Sequence, residues 1–82
     1  MEDHEKKKYR IAIAKRIKNL LSNSGMKISQ LASEADISVS TMQRILSGDR
    51  LPDYLELVLF AESFGITVKQ LVDFDINIIY ES

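Results

Sequence analysis

The chain has no cysteine, no tryptophan, one histidine, one proline and three glycines in 82 residues. Without Cys there is no disulfide framework, no thiolate zinc site and no thiol nucleophile. The single His4 lies in a charged N-terminal run, so no His–carboxylate catalytic cluster can be drawn. No apolar stretch approaches the roughly 18 residues a membrane span needs, and no secretory signal opens the sequence. A Gly-rich phosphate loop is also missing, and the acids are scattered on helix surfaces with no base beside a nucleophile. These absences argue against an enzyme and against a bound metal or cofactor, and they point to a cytoplasmic domain. At this length a single domain is expected, with no separate ligand-sensing module.

What is present is ordinary globular composition, 45% hydrophobic and 28% charged, with a net charge of −1. That total conceals a division. Residues 1–50 hold ten Lys and Arg against six acids, whereas residues 51–82 hold Lys69 alone against six acids. Such polarity suits a basic face for an anionic partner and an acidic back, although a merely solvated surface has the same composition.

The rare glycines and proline punctuate a helical chain. Tyr9, Ile13, Ile17 and Leu21 recur at i, i+4 with Lys15, Arg16, Lys18 and Asn19 opposite, which predicts an amphipathic helix ended by Gly25. A short piece follows with Ile28, Leu31, Ala32 and Ala35, broken at Asp36; Ser38 can then cap a third containing Met42, Ile45 and Leu46. Gly48 closes it, and residues 49–52 form a loop. Asp53 can cap a fourth helix carrying Tyr54, Leu57, Val58, Ala61 and Phe64, which Gly65 terminates. Thr67 with Gln70 reads as the capping box of a fifth helix holding Val68, Leu71 and Val72. The expected architecture is therefore an all-α bundle of five short helices over residues 9–72. Residues 1–8 are expected to form a charged N-terminal arm whose Lys6-Lys7-Lys8 run either reaches an anionic partner or stays solvated. In residues 73–82, Phe74, Ile76, Ile78 and Tyr80 alternate with Asp73, Asp75, Asn77 and Ile79, a strand-like pattern that must pair with something or stay flexible.

Residues 28–47 carry the functional signal. Two short helices meet there across a tight turn, with small Ala32 at the crossing and Asp36 where positive φ is needed. Leu31, Ile37, Met42 and Ile45 are placed to line the inner face of the pair. The runs Lys27-Ile28-Ser29-Gln30-Leu31-Ala32 and Asp36 through Gly48, continued by Pro52 and by Ala61 to Thr67, resemble the Cro/cI-type (XRE-like) helix-turn-helix family of phage and bacterial repressors. The resemblance covers roughly residues 11–72 and includes all three glycines. It implies a lambda-repressor-like fold in which the second helix of the pair enters the major groove of double-stranded DNA.

By position, the resemblance makes Val39, Ser40, Thr41, Gln43 and Arg44 candidate base-reading residues, and Lys27 and Arg50 candidate phosphate ligands. Arg44 can bond guanine O6 and N7 bidentately, Gln43 can pair with adenine, and Val39 can touch a thymine methyl. The chain departs from the family's usual residues at three points. Lys27 stands where a Ser or Thr cap is common, Ile28 where a phosphate-binding Gln is common, and Asp36 where Gly is usual. Leu21 and Leu46 occupy positions joined in some members by an Arg–Glu pair, a joint replacement that leaves no charge unpaired. Family members dimerise on paired half-sites, and a homodimer is expected here through Leu51, Leu55 and Leu59 with the 73–80 tail. The leading function is a sequence-specific transcriptional regulator, most simply a repressor. The alternative is an interaction module of the same fold, an antitoxin or anti-regulator that holds a protein partner.

Overall fold

A computed structural model describes residues 3–81, apart from the side chains of residues 3–5 and 76–78. Six helices follow one another: α1 (Asp3–Ser24), α2 (Ile28–Glu34), α3 (Val39–Leu46), α4 (Tyr54–Phe64), α5 (Val68–Val72) and α6 (Ile76–Glu81). No strand occurs among the described residues. The all-α expectation holds, but the helix count is six instead of five and the strand-like tail is a helix. Alternation over so few residues does not separate a period of 2 from a helical turn, and a helix satisfies its own backbone where a lone strand needs a neighbour.

α6 packs along α1. The Lys15 ammonium donates to the Tyr80 carbonyl at 2.9 Å, and the Lys8 ammonium stands 5.8 Å from the Tyr80 ring centroid. Fully buried Ala12 lies between Lys8 and Lys15 on one face of α1. At its other end α1 reaches back to Asp3, so the Lys6-Lys7-Lys8 run occupies helical turns. Nothing between Glu5 and Tyr9 opposes this, because Lys and Glu are good helix formers and neither Gly nor Pro intervenes.

The core gathers Ile17 and Leu21 from α1, Leu31 and Ala32 from α2, Met42, Ile45 and Leu46 from α3, Phe60 and Ala61 from α4, and Leu71 from α5. On α4, Ala61 is buried and Leu57 and Phe64 pack against the core, but Phe60 is fully buried there as well while Tyr54 is 73% exposed. Apolar residues surround this helix on nearly every side, so periodicity does not select the face that packs.

Three helices end alike. Asp36, Gly48 and Gly65 adopt positive φ of 56°, 83° and 72°. After each, two backbone N–H groups return to the last turn: Asp36 to Ser33 and Ile37 to Ala32, Gly48 to Ile45 and Asp49 to Arg44, Gly65 to Glu62 and Ile66 to Ala61. Gly48 is required twice over, since a Cβ there would stand 3.1 Å from Ile11 Cγ1. The cations of α1 complete the ends of other helices. Arg10 donates to the Gly48 carbonyl at 3.0 Å, and Arg16 donates to the Leu71 and Gln70 carbonyls at 3.0 and 2.8 Å. Cations at carbonyl ends satisfy unpaired acceptors and oppose the negative pole of the helix dipole. Much of the positive charge counted in the first half of the sequence is therefore used inside the fold.

Candidate nucleic-acid interface

The site is built by the α2–α3 pair. Ala32, buried on α2, permits close approach to α3, and the turn through Asp36 and Ile37 reverses the chain without glycine. Ser38, with extended backbone, starts α3: its Oγ accepts the Thr41 N–H at 3.0 Å and donates to Thr41 Oγ1 at 3.0 Å. Met42, Ile45 and Leu46 anchor the helix in the core. The opposite face is left to solvent.

Of the expected base-reading residues, Val39, Ser40, Gln43 and Arg44 are exposed together on that face. Thr41 is half-buried, its hydroxyl oxygen engaged by the cap. Among the described residues the Arg44 guanidinium has no ion pair, whereas Arg50 is paired with Glu56. The two expected phosphate ligands have different surroundings. Lys27 is exposed at the N-cap of α2, with extended backbone and no side-chain capping bond. Arg50 is instead held by Glu56 through two bonds of 2.9 Å, Nη1 to Oε1 and Nη2 to Oε2. Hydrogen bonding to Glu56 raises the guanidinium's pKa above its ordinary value, although partial desolvation opposes it.

Glu56 is the neighbour of Arg50 that sequence reasoning missed. It is the buried charged residue of the fold, 7% exposed. The same carboxylate accepts the Asp53 N–H at 3.0 Å while Asp53 Oδ1 accepts the Glu56 N–H at 2.8 Å, a reciprocal capping box. The signal was available, since Asp53 and Glu56 have the spacing of such a box, but the pairing with Arg50 required the loop's conformation. With Asp53 beside it, this corner sets two carboxylates near one guanidinium, while Asp49 accepts from the Ser47 hydroxyl at 3.0 Å.

A shallow groove of about 570 Å³ opens between α1 and α3. Buried Leu21 and Leu46 form its floor, with Met26 and Ile28 at one end; exposed Lys18, Ser22, Gln43 and Ser47 form its rim. The Leu21–Leu46 replacement is thus an apolar contact between helices. A second apolar surface lies at the opposite half of α1, where Tyr9, Ile13, Leu51, Pro52 and Leu57 line a groove of about 250 Å³. Leu51 lies in the loop before α4, and Leu59 packs against the core. Tyr9 and Leu51 are exposed at this groove, and Tyr54 and Leu55, the last 64% exposed, open the helix that follows it. Among the described residues no His, Asp and Glu cluster could hold a metal ion, and no helix is long and apolar enough to cross a membrane.

No curated protein and no solved structure matches the chain. A sequence family does match, over residues 16–75, a span that takes in α2 to α5, the capped turn at Asp36 and the solvent-facing side of α3. With that span and this geometry together, the chain belongs to the family of the Cro/C1-type HTH DNA-binding domain.

Proposed function

We propose that this protein is a cytoplasmic, bacterial or phage-encoded transcriptional regulator that represses by inserting α3 in the major groove of a specific operator. The observation that carries the reading is the exposed face of α3: Val39, Ser40, Gln43 and Arg44 point away from a core that fixes the helix rigidly through Met42, Ile45 and Leu46. Arg44 reads guanine, Gln43 reads adenine, and Ser40 with Thr41 reaches bases or phosphates. Lys27 binds a phosphate and sets register. Arg50, clamped by Glu56, serves chiefly to brace the loop before α4.

A single α3 reads only a few base pairs, so the active form is a C2 homodimer. Its surface is the apolar patch of Tyr9, Leu51, Tyr54 and Leu55, which replaces the Leu59 edge of the sequence-based expectation. α6 contributes by packing along α1. The same exposed apolar surface favours a second reading, an interaction module that holds a different protein.

Fluorescence anisotropy tests the choice. The full chain is titrated into a duplex selected from a random pool and into a shuffled duplex of the same composition. Tight, selective binding supports the regulator; absence of binding to both, even at low salt, favours the protein-partner module. Sedimentation with and without Leu55→Lys checks the dimer: the patch is discarded if mass and concentration dependence are unchanged.

A further inference from the structure

The cations of this fold are unevenly committed. Arg10, Lys15 and Arg16 donate to carbonyls at the ends of other helices, and Arg50 is matched by Glu56. Lys18 is different: it is exposed on α1 and stands on the rim of the groove whose other rim is Gln43 and Ser47 of α3. Ile28, which has no side-chain donor, lines that groove, and exposed Lys27 precedes it.

A helix seated in the major groove has a phosphate strand along each flank. The two flanks of α3 meet opposite halves of α1. One is the groove beside Lys18 and Ser22; the other is the loop after Gly48, which passes Arg10 and Ile11. The first flank offers Lys18 and Lys27. The second offers Asp53 and Glu56 around the already paired Arg50, with Arg10 beside it giving its Nε–H to the Gly48 carbonyl.

We infer that this protein grips the DNA backbone on one flank only, with Lys18 as a further phosphate ligand beside Lys27 and none from the loop between α3 and α4. This rests on the DNA-binding reading and deepens it. Lys18 supplies from α1 the phosphate contact that Ile28 cannot make from α2. An ammonium on a long, flexible stem tolerates the apolar groove floor, because its methylenes can lie along that floor while the charge stays in water.

Counterion release gives the test, since each phosphate neutralised adds about 0.9 to the slope of log K against log salt. Anisotropy with the selected duplex is measured between about 50 and 200 mM salt for the full chain, Lys18→Gln, Lys27→Gln and the Arg50→Gln/Glu56→Gln double substitution. The double change removes both charges of the pair without orphaning either, and circular dichroism melting verifies that each variant is folded. Lys18→Gln and Lys27→Gln should each shrink the loss of affinity across that salt range about threefold, on selected and shuffled duplexes alike, while the double variant keeps the original slope. An unchanged slope in Lys18→Gln, or a reduced slope in the double variant, overturns the one-flank grip while leaving DNA binding intact. Failure of the unsubstituted chain to bind any duplex overturns the DNA reading, and the grip with it.

Discussion

Arg44 and Arg50 stand six residues apart, carry the same group and have opposite employment. Arg44 projects from the exposed face of α3 with no ion pair among the described residues, whereas Arg50 is bound at both ends of its fork by Glu56. The difference lies in the backbone nearby. At Arg44 the regular helix directs the side chain to solvent, and the core side is filled by Met42, Ile45 and Leu46. At Arg50 the chain is about to enter α4, whose capping box already holds the Glu56 carboxylate in place. A preorganised carboxylate takes the nearest guanidinium, because little further side-chain freedom is lost in forming two charge-assisted bonds. Counting arginines therefore says little about a binding face; what surrounds each one decides.

That contrast can be broken in order of expected effect. Glu56→Ala removes the brace, one half of the capping box and the partner of Arg50, and should cost about 2–3 kcal/mol in chemical denaturation. Affinity for DNA per folded molecule should not fall, since Glu56 offers DNA no donor and its loss frees the Arg50 cation. Arg44→Ala should do the reverse, with stability the same within about 0.5 kcal/mol and binding weaker by about 1–3 kcal/mol with relaxed selectivity at one base position. If Arg44→Ala weakens selected and shuffled duplexes equally, the side chain holds phosphate and does not read a base.

Gly48 connects the two regions. Gly48→Ala should lower stability by about 1–2 kcal/mol, because the new methyl crowds Ile11 at a backbone conformation unfavourable to L residues. Asp36→Gly relaxes the same kind of turn on the other side of α3 and should raise stability by about 0.5–1 kcal/mol, read as a higher melting temperature. The smallest effect concerns acid. The Ser63 hydroxyl, and secondarily Gln30 at 3.2 Å, holds the Glu34 carboxyl below its ordinary pKa. A depressed folded pKa contributes stability above the unfolded value that is lost as pH falls through the folded one. Glu34→Gln should slightly flatten the acid limb of a pH–stability profile and leave neutral pH and DNA binding alone.

Much of the fold was legible where glycines and capping residues set boundaries. Ser38, Asp53 and the Thr67–Gln70 box all cap as their spacing predicts. Asp36 takes the positive φ that the turn demands. Legibility failed where pattern was ambiguous or partners were remote. The alternating tail is too short to distinguish strand from helix, and its docking depends on Lys8 and Lys15, more than sixty residues earlier. α4 is apolar nearly all round, so its exposed Tyr54 could not be told from its buried Phe60. At the interface, α3 was readable because a helix anchored at 42, 45 and 46 must expose 40, 43 and 44. The use of Arg10 and Arg16 as helix-end donors, and of Arg50 as Glu56's partner, was not readable, because each depends on which carbonyl or carboxylate the fold brings near.

The proposed function stands or falls on base reading by α3. Its most direct test is a competition titration in which the full chain, bound to its selected duplex, is displaced by duplexes carrying single base-pair changes, with and without Arg44→Ala. One position should cost the unsubstituted chain about 1–3 kcal/mol when its guanine is changed, and that penalty should vanish in Arg44→Ala. Equal displacement by every changed duplex, or a penalty that persists without Arg44, would contradict base reading by α3.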